Sequence, residues 1–231
     1  MMKQMFAWSK SNNVDVRRLS SEGCRPRLPW AMALPKFKED PKLVLNLLQT
    51  LSNDSLLYVR RSVANNLNDI SKDHSDIVMK LVKSWHGKHE NTDWIIRHAC
   101  RGLLKIAHPD ALKLFGFDDI KHLSIENFTI NTQVQFSQYL PFSFEVSSAK
   151  SGTGKLRIEY AIDFMKANGK QKRKFFHISE SDIVGSNKVI SGKHGFKAIS
   201  TQKHYRGMHS FALILNGQEV DQIDFELLGP V

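Results

Sequence analysis

The sequence predicts an α+β chain of two domains: an α-helical solenoid of HEAT-like repeats, then an all-β immunoglobulin-like sandwich. Three observations predict it. A motif recurs through the first half near the period of a two-helix repeat. Apolar spacing changes from helical to alternating near GFDDIKH, residues 116–122. Charge changes at the same place: residues 1–117 carry 19 Lys and Arg against 11 Asp and Glu, net +8, while residues 118–231 carry 14 against 12, net +2. The domains are therefore set at 1–117 and 118–231.

The repeats are VRRLSSEGCR from Val16, VRRSVANNLNDI from Val59 and IRHACRGLLKIAH from Ile96, their first arginines 43 and then 37 positions apart. Each follows a helical segment and a short polar turn, and Asn53/Asp54 and Thr92/Asp93 are expected to cap the second helices of their repeats. Val59, Val63, Leu67 and Ile70, and then Ile96, Ala99, Leu103 and Ile106, form apolar stripes at helical spacing. Units of this size bury such stripes only by stacking, which builds a concave surface.

Beside the stripes run polar ridges. Arg18 and Glu22 are an i, i+4 pair; Arg61, Asn65 and Asp69 continue the pattern; Arg97, Arg101 and Lys105 make an all-basic ridge. A lone charged helix is usually just solvated, but ridges in register across stacked repeats form one basic surface. The net charge of +10 suits a phosphate backbone, with an acidic protein as the other partner that satisfies it. No apolar run reaches the roughly 20 residues of a membrane span, and the N-terminus lacks a secretory signal. With only Cys24 and Cys100, a reducing cytoplasm is the expected compartment. No CxxC or HxxxH spacing supports a metal site. SGTGK, residues 151–155, lacks the rest of a phosphate loop and reads as a hairpin turn.

In the second half the expected strands are SIENFTI, FSFEVSSA, KLRIEYAIDFM, RKFFHIS, FKAIS, HSFALILNG and VDQIDFELL, seven short segments divided by turn residues. Asn216-Gly217 signals a type I′ hairpin, and KANGKQKRK, residues 166–174, a basic hairpin.

The strings VRRLSSEGCRPRLPWAMALPKFKEDP, YVRRSVANNLNDISKDH and WIIRHACRGLLKIAHPDALKLFGF resemble the AlkC-type alkylpurine DNA glycosylases, a HEAT-like repeat family of alkylation repair. The resemblance covers most of residues 1–117 and implies a monofunctional glycosylase. It would excise cationic N-alkylated bases such as 3-methyladenine from double-stranded DNA as a monomer, with no metal or cofactor. Glu22 and Asp69 match the family's acidic positions and Trp30 the aromatic that packs on the nucleotide. Arg18 and Arg61 would hold phosphates, and Arg25, Arg27, Arg97, Arg101 and Asn65 complete the implied DNA-binding set. Family members carry further N-terminal repeats, with another glutamate at the lesion site, so the sequence corresponds to a C-terminal portion. Catalysis lost with those repeats would leave the alternative function, a DNA- or protein-binding scaffold. Without the resemblance, Glu22 reads as a counter-ion for Arg18, Arg25 or Arg27, Asp69 as a helix-end cap, and Trp30 as a wedge between repeats.

Overall fold

The computed structural model describes residues 1–117, 119–148, 154–182, 187–197 and 203–229, in two units, Met1–Ala111 and Leu112–Val231. The first unit runs α1 (Met2–Trp8), α2 (Val14–Glu22), α3 (Pro35–Glu39), α4 (Lys42–Thr50), α5 (Leu57–Ile70), α6 (Ser75–Trp85), α7 (Glu90–Ala99), α8 (Arg101–Lys105) and α9 (Pro109–Leu114), the last crossing into the second unit. The repeated signatures lie on α2, α5 and α7–α8, and α2 packs on α5 and α5 on α7.

The sequence period reappears as a repeated contact. Arg17 Nη1 donates to the carbonyls of Ser11 and Asn12 at 3.0 and 3.1 Å. Arg60, 43 positions later, donates to those of Asp54 and Ser55 at 3.0 and 2.7 Å. The first arginine of each pair thus ties its helix to the preceding turn, whose carbonyls have no helical partner. The repeats are then joined: Arg17 Nε donates to Asp54 Oδ2 at 2.7 Å, Ser21 to Ser62 Oγ at 2.7 Å, and Asn66 Nδ2 to the Ser21 carbonyl at 2.8 Å. The apolar stripe is buried from Val59 through Leu103, about 1.5–3 kcal/mol for each large side chain.

Three local expectations are corrected. Asp54 and Asn53 do not cap α5, whose N-cap is Leu56; Asp54 Oδ1 accepts from the Leu56 N–H in an Asx turn just outside the helix. Thr92 and Asp93 lie inside α7, which starts after His89, and reach back to the Ser52 carbonyl and the Gly87 N–H. Ile106 is exposed, because helix α8 ends before it.

The basic ridge Arg97, Arg101, Lys105 is also interrupted, at Cys100 between α7 and α8. The Gly102 N–H donates to Asn68 Oδ1 at 3.2 Å, and Arg101 Nη1 takes the His98 carbonyl at 2.6 Å. Side chains inserted into the i→i−4 ladder break it there. A Cβ at Gly102 would lie 2.8 Å from Asn68 Oδ1, so this close approach requires glycine.

The second unit is a β-sandwich. One sheet has the order β1 (Leu123–Ile130), β3 (Tyr139–Ser148), β6 (Asn187–Gly195). The other runs β2 (Gln133–Gln135), β8 (Gln218–Leu228), β7 (Gly207–Leu215), β4 (Lys155–Met165), β5 (Gln171–Asp182). Pairing is antiparallel except β2 with β8. Phe142, Phe144, Tyr160, Phe164, Phe211 and Phe225 fill the space between the sheets. Asn216 and Gly217 have φ 43° and 78°, as the expected I′ turn requires, and Lys166 N–H closes the basic hairpin on the Lys170 carbonyl at 2.9 Å. FKAIS is not a strand at Phe196 and Lys197, and its last three residues lie outside those described, as do residues 151–153 of SGTGK. β2 and β6 were not foreseen.

Candidate active site

The site is built where the C-terminus of α2 meets the C-terminal half of α5. Asn13 starts α2, its side chain accepting from the Asp15 and Val16 N–H groups at 2.8 and 3.4 Å. Glu22 therefore falls in the last turn, and the chain leaves through Gly23 into the loop that carries Arg25. On α5, Arg61 is exposed, Asn65 half-buried and Asp69 buried, so the expected polar ridge slopes into the protein.

Arg25 joins the two acidic residues. Its Nη1 donates to Glu22 Oε1 at 2.7 Å, while Nε and Nη2 hold Asp69 Oδ2 at 2.9 and 2.8 Å. Only 8% of Arg25 is exposed, so a paired, hydrogen-bonded charge sits below the surface. The other oxygen of each carboxylate is held loosely. Glu22 Oε2 is 3.4 Å from Arg18 Nη2, an ion-pair distance without hydrogen-bond alignment, and has no hydrogen-bond partner among the described residues. Asp69 Oδ1 accepts from Lys72 Nζ at 3.2 Å, and Lys72 is half-exposed.

The remaining expected residues divide by what holds them. Arg18 donates to the Tyr58 carbonyl at 3.0 Å and lies over the Tyr58 ring. Arg27 forms a two-point pair with Asp73 that lowers the Asp73 carboxyl below its usual range. Arg101 Nη2 donates to Asn65 Oδ1 at 3.0 Å; burial lowers the Arg101 pKa, with Asp69 pulling the other way. Arg97 is half-buried on α7. The structure thus brings together Glu22, Arg25, Asp69 and Arg18, and places Asn65 and Arg101 on the adjoining turn of α5 and the start of α8. It adds Lys72, which sequence reasoning missed although its i, i+3 spacing from Asp69 signals the pair.

Trp30 stands on the loop that follows Arg25. The Leu34 N–H donates to the Pro26 carbonyl at 3.0 Å, closing the loop. Trp30 has φ 63°, a left-handed conformation that costs a bulky residue about 1–2 kcal/mol. Its side chain is fully exposed, and Met32 beside it nearly so. A wedge between repeats would be covered, so that reading does not describe this indole. An exposed aromatic on left-handed backbone makes this loop a candidate ligand surface.

Other chemistry is narrowed. Burial pushes the Cys24 thiol up to about 11 and Cys100 up to about 12, so neither supplies a thiolate at neutral pH. Among the described residues no helix is long and apolar enough to cross a membrane. An apolar groove along α4 and α6, lined by Pro41, Leu45, Ile77 and Leu81, contains none of the site residues.

Comparison with known proteins finds relatives for both units. Residues 1–103 match the family described as "DNA alkylation repair enzyme" and residues 124–229 the C-terminal Ig-like domain of uncharacterised protein YhaZ. The YhaZ protein of Bacillus subtilis is 44% identical over 229 residues, 98% of this chain and 64% of its own length. A solved structure of Pseudomonas fluorescens alkylpurine DNA glycosylase AlkC, bound to DNA containing an abasic site analog, is 36% identical with a TM-score of 0.95. That match covers 99% of this chain and 64% of AlkC, so the chain spans about two-thirds of the length of either relative. The chain belongs to the DNA alkylation repair enzyme family and carries a YhaZ-type C-terminal Ig-like domain.

Proposed function

We propose that the chain carries the base-excision site of a monofunctional DNA glycosylase acting on cationic N-alkylated bases such as 3-methyladenine in duplex DNA. The observation that carries this reading is the pair of carboxylates from successive repeats, bracketed by one buried arginine, with a fully exposed tryptophan on the same loop. An alkylated base is already cationic and departs neutral. Breaking its glycosidic bond moves positive charge onto the deoxyribose, which fixed carboxylates stabilise. Water then adds to the sugar carbon and passes its proton to Glu22 or Asp69, leaving an abasic site and the free base. Trp30 offers a face for a cationic base or sugar, and Arg61, exposed, and Arg18, half-buried, would hold phosphates.

The experiment is chromatography of bases released from methylated duplex DNA. Glu22→Gln keeps shape and hydrogen bonding but removes charge, so it is expected to retain the fold and DNA affinity. It should lose more than about a hundredfold in rate, roughly 3 kcal/mol. Parental rates in a normally melting Glu22→Gln protein would refute the role of Glu22. A parent chain that binds DNA and releases no base favours the second reading, a DNA-binding scaffold.

A further inference from the structure

We infer that Arg25 is a positioning residue of this reaction, a bracket that sets the spacing of Glu22 and Asp69, and not a ligand of the DNA backbone; the inference rests on the glycosylase reading. Three of its nitrogens are spent on two carboxylates from two repeats. It is too buried to meet a phosphate without abandoning both. Lys72 is the exposed cation of the cluster, and Arg18, half-buried, is held by the Tyr58 carbonyl and ring.

The division of oxygens gives the bracket its purpose. Arg25 takes Oε1 of Glu22 and Oδ2 of Asp69. Each carboxylate keeps one oxygen outside the Arg25 fork: Glu22 Oε2, covered and 3.4 Å from Arg18, and Asp69 Oδ1, which accepts from half-exposed Lys72. Phosphates that draw Arg18 and Lys72 away would uncover those two oxygens while Arg25 keeps both carboxylates in place. The guanidinium thus fixes half of each carboxylate and frees the other half for charge that develops on the sugar. A lysine cannot do this. Its ammonium is a point donor without the planar fork that holds Asp69 by Nε and Nη2 while Nη1 reaches Glu22.

The test separates positioning from binding and from folding. Arg25→Lys is expected to bind abasic-site DNA within about twofold of the parent, while its single-turnover rate of base release falls about a hundredfold. In Arg25→Ala, millimolar guanidinium ion should restore part of the rate, which a merely structural defect would not allow. Circular dichroism melts confine the kinetics to temperatures at which each variant is folded, and Arg25→Gln serves where Arg25→Lys does not fold. A parental rate in Arg25→Lys, or affinity that falls in step with rate, overturns the inference alone. A parent that releases no base overturns the glycosylase reading and this inference with it.

Discussion

At the scale of single residues, Arg25 and Trp30 are opposites, and stability measurements should show it. Removing Arg25 strands two carboxylates, of which Asp69 is buried, and breaking a buried pair from one side costs about 3–5 kcal/mol. Arg25→Ala should lower the urea midpoint of the helical unit accordingly. Trp30→Gly should leave that midpoint unchanged or raised. The exposed indole covers no core, and relief of about 1–2 kcal/mol of left-handed strain offsets glycine's entropic cost of about 0.5–1 kcal/mol. A fall of more than about 1 kcal/mol in Trp30→Gly would show that the indole packs on the protein. The sequence made Arg18 and Arg25 legible as partners of Glu22, since both lie within four positions of it, Arg18 on the same helix and Arg25 on the loop that leaves it. It hid Arg25–Asp69, because those residues lie 44 positions apart and meet only when α2 stacks on α5.

At the scale of elements, the helical repeats were legible because their stripes and paired arginines recur, and the Arg17 and Arg60 contacts are that recurrence in atoms. The break at Cys100 was not, since its cause is Asn68, on another helix. Strand β6, NKVISGKHG, escaped because glycines and polar residues replace alternation. It forms by pairing with β3, where Phe142 lies opposite Gly192 and covers the space that a side chain would fill. Gly192→Ala should therefore displace a ring packed against Tyr160 and Phe211, costing the β unit about 1–3 kcal/mol. All four tryptophans, Trp8, Trp30, Trp85 and Trp94, lie in the helical unit. Tryptophan fluorescence should thus report an unshifted transition while circular dichroism reports an earlier one for the sheets. A shift in both would mean that the units unfold together.

For the whole molecule, pH and salt act on different units. In the β unit, burial lowers the pKa of His194 to about 4, and those of His204 and His209 below the usual 6.5. These rings pack among Phe164, Phe176 and Phe196, with Tyr160 Oη 2.8 Å from His194 Nδ1 and with the Lys166 and Lys174 charges nearby. Between pH 6.5 and about 4 the unfolded state takes up protons that the folded state excludes. Stability is therefore full above pH 6.5 and falls as the solution is acidified, by roughly 3 kcal/mol from His194 on reaching its folded value. Urea titrations followed by circular dichroism at neutral and mildly acidic pH would measure the loss, and a pH-independent midpoint would contradict it. In the helical unit, Arg17, Arg25, Arg27 and Arg101 are engaged internally. DNA affinity should still fall with salt, but less steeply than the net charge of that half suggests, about 0.9 in log slope for each phosphate contact that remains. A salt-independent titration would exclude a phosphate-dominated interface.

The Arg25 bracket also decides when in the life of a molecule the site exists. Glu22 and Arg25 leave the ribosome 47 and 44 residues ahead of Asp69, so on the proposed reading a nascent chain that ends before Asp69 holds half of a site. Competence, on that reading, arrives only when the second repeat closes on the first, and it is lost whenever the two separate. On the proposed reading, base release therefore waits on the same contact that joins the two repeats.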